Sequence, residues 1–424
     1  MKSLFSPNAG VRTEDRGTRP LADGDTPPPS LGFWFYAAHL LTIWGLALSN
    51  LCMAAAGLWS LKNRRNLPWD LHRDRALFVP AGLYMIFFGV SILTSLELEA
   101  SLGEIKDLLS WITLGLAPTL IRGEKAVRRV VDAILVMILL LALHGIGQYY
   151  LTDFGTLHRR IIGLFSHYQT FAGVLLVGTM VLAARLATHG RRQPHLWIAF
   201  AVLLFVLQLS LTRGAWVAAI LTLALPIVLR AKRRFLVAGL VLIPLFVWLA
   251  PDHWTERWES IVDLQDVSNY DRLCMAEAAG YMIAERPLFG IGPEVVETRY
   301  AIYRHPTAPR TSVPHLHNNF LQRAAEQGLM GLTAYLALMI AALGLAVRGL
   351  RREGGLEGPR ADLYLATVLV VVGFNIAGLF EDNWRDTEIR RLVLFLIALP
   401  LCLKTSTPEP STPEPSTPED THDS

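Results

Sequence analysis

Long apolar runs separated by short polar segments make up most of this sequence. An α-helix needs about 20 apolar residues to cross roughly 30 Å of hydrocarbon, and many of the runs approach that length. The pattern predicts membrane spans at 77–95, 104–121, 130–150, 167–186, 195–211, 214–229, 234–250, 328–347, 362–380 and 389–403. We therefore predict an all-α polytopic membrane protein.

The first apolar stretch, 31–61, is too long for one straight helix and short for two full crossings. Ser49-Asn50 can mark a turn between two short or tilted helices. Two crossings would give about 12 transmembrane helices and put both termini on the same side. One crossing would place the N-terminus on the opposite side.

Composition supports a membrane protein. Hydrophobic residues make up 52% of the 424 residues and charged residues 18%, against about 25% charged residues in soluble proteins. The three cysteines suggest neither a disulfide framework nor a metal site. No Walker loop, dinucleotide fingerprint or nucleic-acid surface is visible, so we expect neither a nucleotide nor a nucleic-acid partner.

Both ends of the chain are polar and rich in proline. Residues 1–30 include Pro27-Pro28-Pro29, and residues 404–424 repeat Ser-Thr-Pro-Glu-Pro. We predict that both segments are disordered, because they have too few apolar residues to form a core. No signal peptide is expected, since no small-residue cleavage site follows the first apolar run. The remaining chain divides into a transmembrane bundle at 31–250, a large loop at 251–327 and C-terminal spans at 328–403.

Basic residues concentrate on alternate loops, which predicts the orientation of the spans. The positive-inside rule assigns such loops to the cytoplasm. They contain Lys62, Arg64, Arg65, Arg73, Arg75, Arg122, Lys125, Arg128, Arg129, Arg185, Arg191, Arg192, Arg230, Lys232, Arg233, Arg234, Arg348, Arg351, Arg352 and Lys404. The opposite face then holds 97–104, 153–160, 212–213, 251–327 and 381–386.

The loop 251–327 is far longer than an ordinary connection between helices, and such loops usually carry function. A capping box at Ser268–Asp271 predicts a helix over about 269–284, which Arg286-Pro287 ends. Its predicted apolar face comprises Leu273, Met275, Ala276, Ala279, Met282 and Ile283. We expect this face to pack on the bundle or to lie in the membrane interface.

The end of this loop, His315–Gln322, collects two imidazoles, two carboxamides and a glutamine just before an apolar run. Asn318 or Asn319 can cap the next helix, whereas His317 and His315 can form a proton-transfer centre. A metal site would need a third ligand such as His305 or Asp386. We favour a general base and predict no metal and no cofactor.

Arg213 and Arg272 are candidate anion ligands on the face where basic residues are scarce. Arg213 can instead anchor a span at the interface beside Trp216, and Arg272 can pair locally with Asp271 or Glu277. Two guanidinium groups from different elements would suit two phosphates, because each binds phosphate through two hydrogen bonds.

Two further outer segments supply candidates. Arg160 and Gln169 lie at the mouth of one span. Asp386 belongs to the acidic turn Glu381–Glu388 between the last two spans, whose acids can orient the histidine or bind sugar hydroxyls. The alternative for this turn is a solvated connection with an interfacial tryptophan.

Taken together, these motifs resemble the O-antigen ligase/polymerase superfamily of bacterial membrane glycosyltransferases. The resemblance rests on Leu-Thr-Arg-Gly-Ala-Trp (211–216), Asp271-Arg272, Arg286–Gly292, His315–Gln322, Glu326–Gly331 and the Glu381–Glu388 turn. These motifs occur in family order over about residues 160–390, while the first 150 residues are similar in hydropathy alone.

The resemblance implies a GT-C-like, all-helical enzyme of the bacterial inner membrane with its active site facing the periplasm. In the ligases, a glycan moves from undecaprenyl pyrophosphate to lipid A-core by one inverting displacement, without metal or nucleotide. His317 matches the catalytic base, Arg213 and Arg272 match the pyrophosphate ligands, and Asp386 is our match for an outer acidic residue.

Three other functions remain open from the sequence. A polymerase would use a second lipid-linked glycan as acceptor, and a protein O-oligosaccharyltransferase would use a protein. A transporter or flippase would place charged or broken helices at mid-membrane. The unusual polar residues here cluster at one outer face instead, which favours chemistry at the membrane surface.

Overall fold

The computed structural model describes residues 29–65, 67, 75–156, 159–189, 193–230, 258, 261, 263 and 266–403. The predictions for residues 1–28, for the span at 234–250 and for the tail at 404–424 lie outside these residues. The described residues contain no strand and form these helices: α1 Leu31–Leu41, α2 Leu46–Lys62, α3 Arg75–Leu93, α4 Leu98–Leu102, α5 Trp111–Leu120, α6 Gly123–Leu151, α7 Tyr168–His189, α8 His195–Leu209, α9 Arg213–Arg230, α10 Val267–Glu285, α11 Val295–Tyr303, α12 Asn319–Arg352, α13 Ala361–Ala377 and α14 Thr387–Cys402.

Four of these helices are long and apolar enough to cross a membrane: α3, α6, α7 and α12. Shorter apolar helices occur at Leu31–Leu41, His195–Leu209, Arg213–Pro226 and Ala361–Ala377. The all-α prediction is confirmed for the described part of the chain. The predicted total of about 12 spans stays a prediction, as does the GT-C-like arrangement.

The apolar stretch 31–61 forms two helices, α1 and α2, that pack against each other. The turn between them lies at 42–45 and not at Ser49-Asn50, so that part of the prediction was wrong. Ser49 is inside α2 because its hydroxyl has tertiary partners: it hydrogen-bonds His39 Nδ1 at 2.9 Å and accepts from Arg391 at 3.0 Å. A polar pair that suggests a turn in sequence is here used for contacts between helices.

The predicted span at 104–121 is not one continuous α-helix. Residues Gly103–Ser110 form a 3₁₀ helix, and α5 adds only ten residues. The first half carries charge, and Asp107 binds the guanidinium of Arg390 on α14 through two hydrogen bonds of 2.7 Å each. The need to present Asp107 to a buried arginine explains why the regular helix begins only at Trp111.

The bundle is built around α7, which is buried along almost its whole length. It packs against α6, α8, α9, α13 and α14. A helix that is apolar on every side is expected to have neighbours on every side. The N-terminal end of α7 therefore sits at the centre of one face of the bundle.

Charged groups collect at the two ends of the bundle. At one end, Arg128 on α6 binds Asp362 on α13 at 2.7 Å, and Arg185 on α7 contacts Asp132. These residues belong to or adjoin the loops that the charge pattern assigns to the cytoplasm. The loops assigned to the other side meet at the opposite end of the bundle, where Arg299 binds Glu97 at 2.7 Å.

The loop before α12 has a small core of its own. The buried side chains of Met275, Met282, Ile291, Tyr300, Val313 and Leu316 pack together. Helix α10 begins at an Asp266 cap rather than at Ser268, and it buries Met275, Ala279 and Met282 as predicted. Leu273 is 55% exposed, contrary to the predicted face, because it is offset from that stripe by about half a turn.

A short backbone seam attaches this loop to the start of α12. Ile291 and Gly292 donate to the carbonyls of Ala325 and Glu326 at 2.9 and 3.0 Å, and Leu329 donates to Pro287 at 2.8 Å. The approach requires Gly328, whose φ of 68° and ψ of −175° kink α12. A Cβ at Gly328 would lie 2.2 Å from the carbonyl oxygen of Leu288.

We expect Gly328→Ala to destabilise the protein, because this backbone conformation costs a non-glycine residue about 1–3 kcal/mol. Gly344→Ala is the matched control on the same helix, since its Cβ would meet nothing nearer than the Arg348 guanidinium at 3.9 Å. Thermal unfolding in detergent should give a lower midpoint for Gly328→Ala only. Equal unfolding midpoints for the two variants would contradict the claim that the seam requires glycine at position 328.

Candidate active site

A cavity of about 230 Å³ opens at the end of the bundle where the outer loops meet. It lies between the starts of α7 and α9, the first turns of α10, the residues before α12 and the turn between α13 and α14. Its lining consists of Arg160, Tyr168, Gln169, Ala172, Gly173, Leu176, Thr212, Arg213, Gly214, Ala215, Ser268, Arg272, Arg310, His317, Ala377, Phe380, Glu381 and Asn383. Segments far apart in sequence thus contribute to one site.

His317 is positioned by the cap of α12. Asn318 caps the helix, because its Oδ1 accepts from the amides of Phe320 and Leu321 at 2.9 and 3.0 Å. Gln322 reaches back and accepts from the amide of Leu316 at 2.7 Å. His317 itself has a φ of 49°, the left-handed region that is uncommon for a residue with a side chain. Asn318 therefore supports the site from outside the cavity lining.

The His317 ring is held by Glu381. Its Nδ1 lies 2.8 Å from Glu381 Oε2, whereas its Nε2 is buried and has no hydrogen-bond partner in the described part of the chain. A carboxylate beside Nδ1 accepts a hydrogen bond from the N–H of that nitrogen. The lone pair of the neutral ring then lies on Nε2. This is the arrangement that a general base requires.

Glu381 is ionised in these surroundings. Burial alone raises its pKa, but the hydrogen bond from His317 and the interactions with the His317, His315 and Arg272 side chains outweigh burial and lower the pKa below the usual value. An anionic Glu381 stabilises an imidazolium formed when His317 takes a proton.

His315 contacts the same carboxylate. Its Nε2 lies 3.3 Å from Glu381 Oε1, and its Nδ1 accepts from the His317 amide at 3.3 Å. Burial lowers the pKa of His315 to about 4, against the opposing effect of Glu381, so this ring is neutral near pH 7. His315 does not line the cavity and acts on the site through Glu381.

Asp386 lies away from the cavity lining. It stands at the N-cap position of α14 without a side-chain capping bond, and its carboxylate accepts from the Thr170 hydroxyl at 2.9 Å. Burial raises the pKa of Asp386 to about 7. The acid that contacts the histidine is Glu381, five residues earlier in the same turn, and the sequence alone did not separate the two.

Four arginines line the cavity: Arg160, Arg213, Arg272 and Arg310. Arg213 is 6% exposed and pairs with Asp266 at 3.0 Å, so it is buried rather than an interfacial anchor. Its neighbour Trp216 is buried as well, and it stacks on Trp258 with 4.7 Å between ring centroids.

Arg272 lacks the local ion pair that the sequence left open. Its acidic neighbour Asp271 binds Arg310 instead. Among the described residues, Arg272 Nε is buried without a hydrogen-bond partner. Burial lowers the pKa of Arg272, and the nearby charge of Arg213 lowers it further, while Glu381 raises it. A buried guanidinium in this state binds an anion favourably.

Arg160 and Gln169 lie at the mouth of α7 and both line the cavity. The Arg160 guanidinium stacks over the Tyr168 ring at 4.3 Å from its centroid. Burial lowers the pKa of Arg160, and the charge of Arg213 lowers it further. Arg310 and Tyr168 are members of the site that no sequence motif indicated.

The residues that line the cavity carry more positive than negative charge. Four guanidinium groups and one carboxylate, Glu381, line it, and Asp266 and Asp271 pair with Arg213 and Arg310 from outside the lining. Gathering like charges in a partly dehydrated cavity is unfavourable unless anions compensate them. The cavity is therefore suited to an anionic ligand, and planar guanidinium groups match phosphate oxygens.

The donor atoms of His315, His317 and Glu381 lie within 4.8 Å of one another, a grouping that could hold a metal ion. His305 and Asp386, the third ligands considered from the sequence, do not belong to it. The expectation that the reaction needs no metal stays a prediction.

Comparison with known proteins bears on the same segment. Residues 198–336, roughly a third of the chain, match a family model described as O-Antigen ligase. The matched range contains Arg213, Arg272, Arg310 and His317, whereas Arg160 and Glu381 lie outside it. A comparison with curated protein sequences gives no match. The family match supports the resemblance of residues 198–336 to the O-antigen ligase/polymerase superfamily, and the match together with the apolar helices indicates a multi-pass membrane protein.

Proposed function

We propose that this protein is an O-antigen ligase-like glycosyltransferase, which moves a glycan from undecaprenyl pyrophosphate to a lipid A-core acceptor. One observation carries the proposal: a histidine held by a carboxylate at Nδ1, with no partner for Nε2 among the described residues, lines a cavity that also contains four arginines. A base and an anion site in one cavity are what transfer from a pyrophosphate donor requires.

The arginines bind the donor pyrophosphate. Arg272 and Arg213 come from different helices and both line the cavity, so the two can hold separate phosphates. Arg160 and Arg310 supply further positive charge, and Gln169 can donate to a phosphate or sugar oxygen.

His317 activates the acceptor. Its Nε2 takes the proton of an acceptor hydroxyl while that oxygen attacks the anomeric carbon of the donor. The bond between that carbon and the phosphate oxygen breaks at the same time, and its electron pair leaves with the pyrophosphate. The arginines stabilise this charge, so the leaving group needs no proton. One displacement inverts the anomeric configuration, and Glu381 stabilises the imidazolium until the proton passes to water.

The same site suits other acceptors of the superfamily. A polymerase would place a second lipid-linked glycan beside His317, and a protein O-oligosaccharyltransferase would place a protein hydroxyl there. A transporter or flippase would have no use for the His317–Glu381 pair. We propose a bacterial inner-membrane location with the cavity facing the periplasm, because the basic loops lie at the other end of the bundle. Membrane lipids then surround the spans, 251–327 is the periplasmic loop, and no metal is needed.

His317→Ala should lower glycan transfer by about 10²–10⁴-fold, because the alanine methyl group cannot take the proton of the acceptor hydroxyl. Glu381→Gln should lower kcat with a smaller change in donor KM, since it removes the charge that stabilises the imidazolium. Initial rates with purified protein measure both. His305→Ala is the control from the same loop, because His305 lies outside the cavity lining. Full activity in His317→Ala would remove the base assignment.

Arg213→Lys and Arg272→Lys should each lower kcat/KM for the donor by roughly 10- to 100-fold, because a lysine keeps the charge but loses one charge-assisted hydrogen bond. Arg286→Lys is the matched control, an exposed arginine just after α10. Donor kinetics at saturating acceptor give the comparison. Wild-type values in both site variants would contradict the pyrophosphate assignment.

The acceptor can be identified by offering a defined undecaprenyl-pyrophosphate glycan with either lipid A-core or a second copy of the donor. Ligase activity should yield glycosylated lipid A-core and release undecaprenyl pyrophosphate. Gel analysis of the products reads out the result. A lengthened lipid-linked glycan, with lipid A-core untouched, would instead identify a polymerase.

A further inference from the structure

We propose that His315, His317 and Glu381 form a binding site for one Zn²⁺ ion and that zinc binding inhibits the transferase. The existence of the metal site is independent of the reaction, whereas its inhibitory effect rests on the proposed function. Zinc here is a regulator or inhibitor, not a cofactor of the transfer.

His315, His317 and Glu381 can each offer one donor atom to a shared metal, and these atoms lie within 4.8 Å of one another. Glu381 Oε1 lies 3.3 Å from His315 Nε2, and Glu381 Oε2 lies 2.8 Å from His317 Nδ1. Two ligands of tetrahedral zinc, each about 2.0–2.1 Å from the metal, stand about 3.3 Å apart. Two imidazoles and a carboxylate are also the protein ligands of many zinc sites that keep a fourth position open. Glu381 and His317 line the cavity, from which a water or an anion can reach that position.

Zinc binding at His315 disturbs one existing hydrogen bond. Binding through His315 Nε2 would move the ring proton to Nδ1 and lose the hydrogen bond from the His317 amide. That bond is long, 3.3 Å, and its loss is a small penalty.

Nearby charge weakens the site without abolishing it. Arg385 lies close to His315, but it forms an ion pair with Glu294 at 2.8 Å. The positive charge of Arg272 interacts with Glu381 and would repel a cation bound there. An anion bound to Arg272 would offset this repulsion, so the donor or its pyrophosphate product should strengthen zinc binding.

Inhibition follows from the tautomer of His317. In the hydrogen-bonded state, Nδ1 carries the proton that it donates to Glu381, and Nε2 keeps the lone pair that accepts a proton from the acceptor. Zinc on Nδ1 takes the lone pair of that nitrogen, so the ring proton must sit on Nε2. The nitrogen that faces catalysis is then a donor and cannot act as a base. Zinc also withdraws Glu381 from its role of stabilising the imidazolium.

The binding arm uses Co²⁺ as a spectroscopic probe on the purified, EDTA-treated full chain in detergent. The wild type should develop the visible absorption of tetrahedral Co²⁺ at one equivalent, and Zn²⁺ should abolish it by competition. His315→Gln, His315→Ala and Glu381→Gln should bind at least 10- to 100-fold more weakly, the loss expected even for outer-shell partners. The control is His195→Ala, an exposed histidine on α8. The proposed metal site would be overturned if the wild type did not bind Co²⁺. It would also be overturned if both His315 variants bound Co²⁺ as tightly as the wild type.

The activity arm measures initial rates of glycan transfer against Zn²⁺ concentration, each variant relative to its own zinc-free rate. The transfer rate of the wild type should fall at least 10-fold at saturating Zn²⁺, and excess EDTA should restore it. His315→Gln should need at least 10-fold more Zn²⁺, and Mg²⁺ should have no effect, because it prefers oxygen ligands. Activation by zinc, or full activity at full occupancy, would overturn the inhibition. A protein without transferase activity would refute the proposed function, while the Co²⁺ arm still decides whether the site exists.

Discussion

The hydrogen bond between His317 and Glu381 joins the two segments on which the site depends. His317 ends the large loop, and Glu381 begins the turn before the last helix. Around this contact, the backbone of Asn319 donates to Gly378 at 2.7 Å, and the Asn319 side chain donates to Asn383 at 2.6 Å. These polar contacts hold the start of α12 against the end of α13 and the turn that follows it. His317 and Glu381 are therefore anchored by two neighbouring helices, which restricts rotation of the imidazole.

A second constraint is the electrostatic balance of the cavity. The fold stabilises Arg213 and Arg310 with Asp266 and Asp271, whereas the buried Arg272 Nε has no hydrogen-bond partner among the residues that the structure describes. Partial neutralisation lowers the cost of placing several guanidinium groups in one cavity. The remaining positive charge favours an anionic ligand, because a neutral or cationic molecule would leave it uncompensated.

Much of this arrangement was readable from the sequence. The spacing of apolar runs gave an all-helical membrane protein, and the alternation of basic loops grouped 153–160, 212–213, 251–327 and 381–386 at one end. That grouping brought Arg160, Arg213, Arg272 and His317 into one hypothesis, and the structure brings all four to the same cavity. The physical reason is that charge is expensive in hydrocarbon, so its distribution along a membrane protein carries three-dimensional information.

Other features depend on tertiary geometry that no local pattern encodes. Glu381 and Asp386 are equally plausible acids in one short turn, and only the path of the turn decides which faces the histidine. Arg310 lies in a stretch without periodicity, and its role follows from the burial of Asp271. The break in 104–121 depends on Arg390, which is almost 300 residues away in sequence. In the sequence, Ser49 suggests a turn between two helices. Its hydrogen bonds to His39 and Arg391 explain why it lies inside α2 instead.

The backbone around the site has a thermodynamic consequence. Within the described part of the chain, the non-glycine residues with positive φ are Leu211, Glu294 and His317. Leu211 precedes Arg213 by two residues, Glu294 pairs with Arg385 beneath the acidic turn, and His317 is the proposed base. Each such conformation costs on the order of 1 kcal/mol and is maintained by the surrounding structure. Glycine at any of the three would relieve the backbone strain, but it would also remove the side chain and its contacts. The fold therefore accepts a local backbone cost in order to place these three side chains.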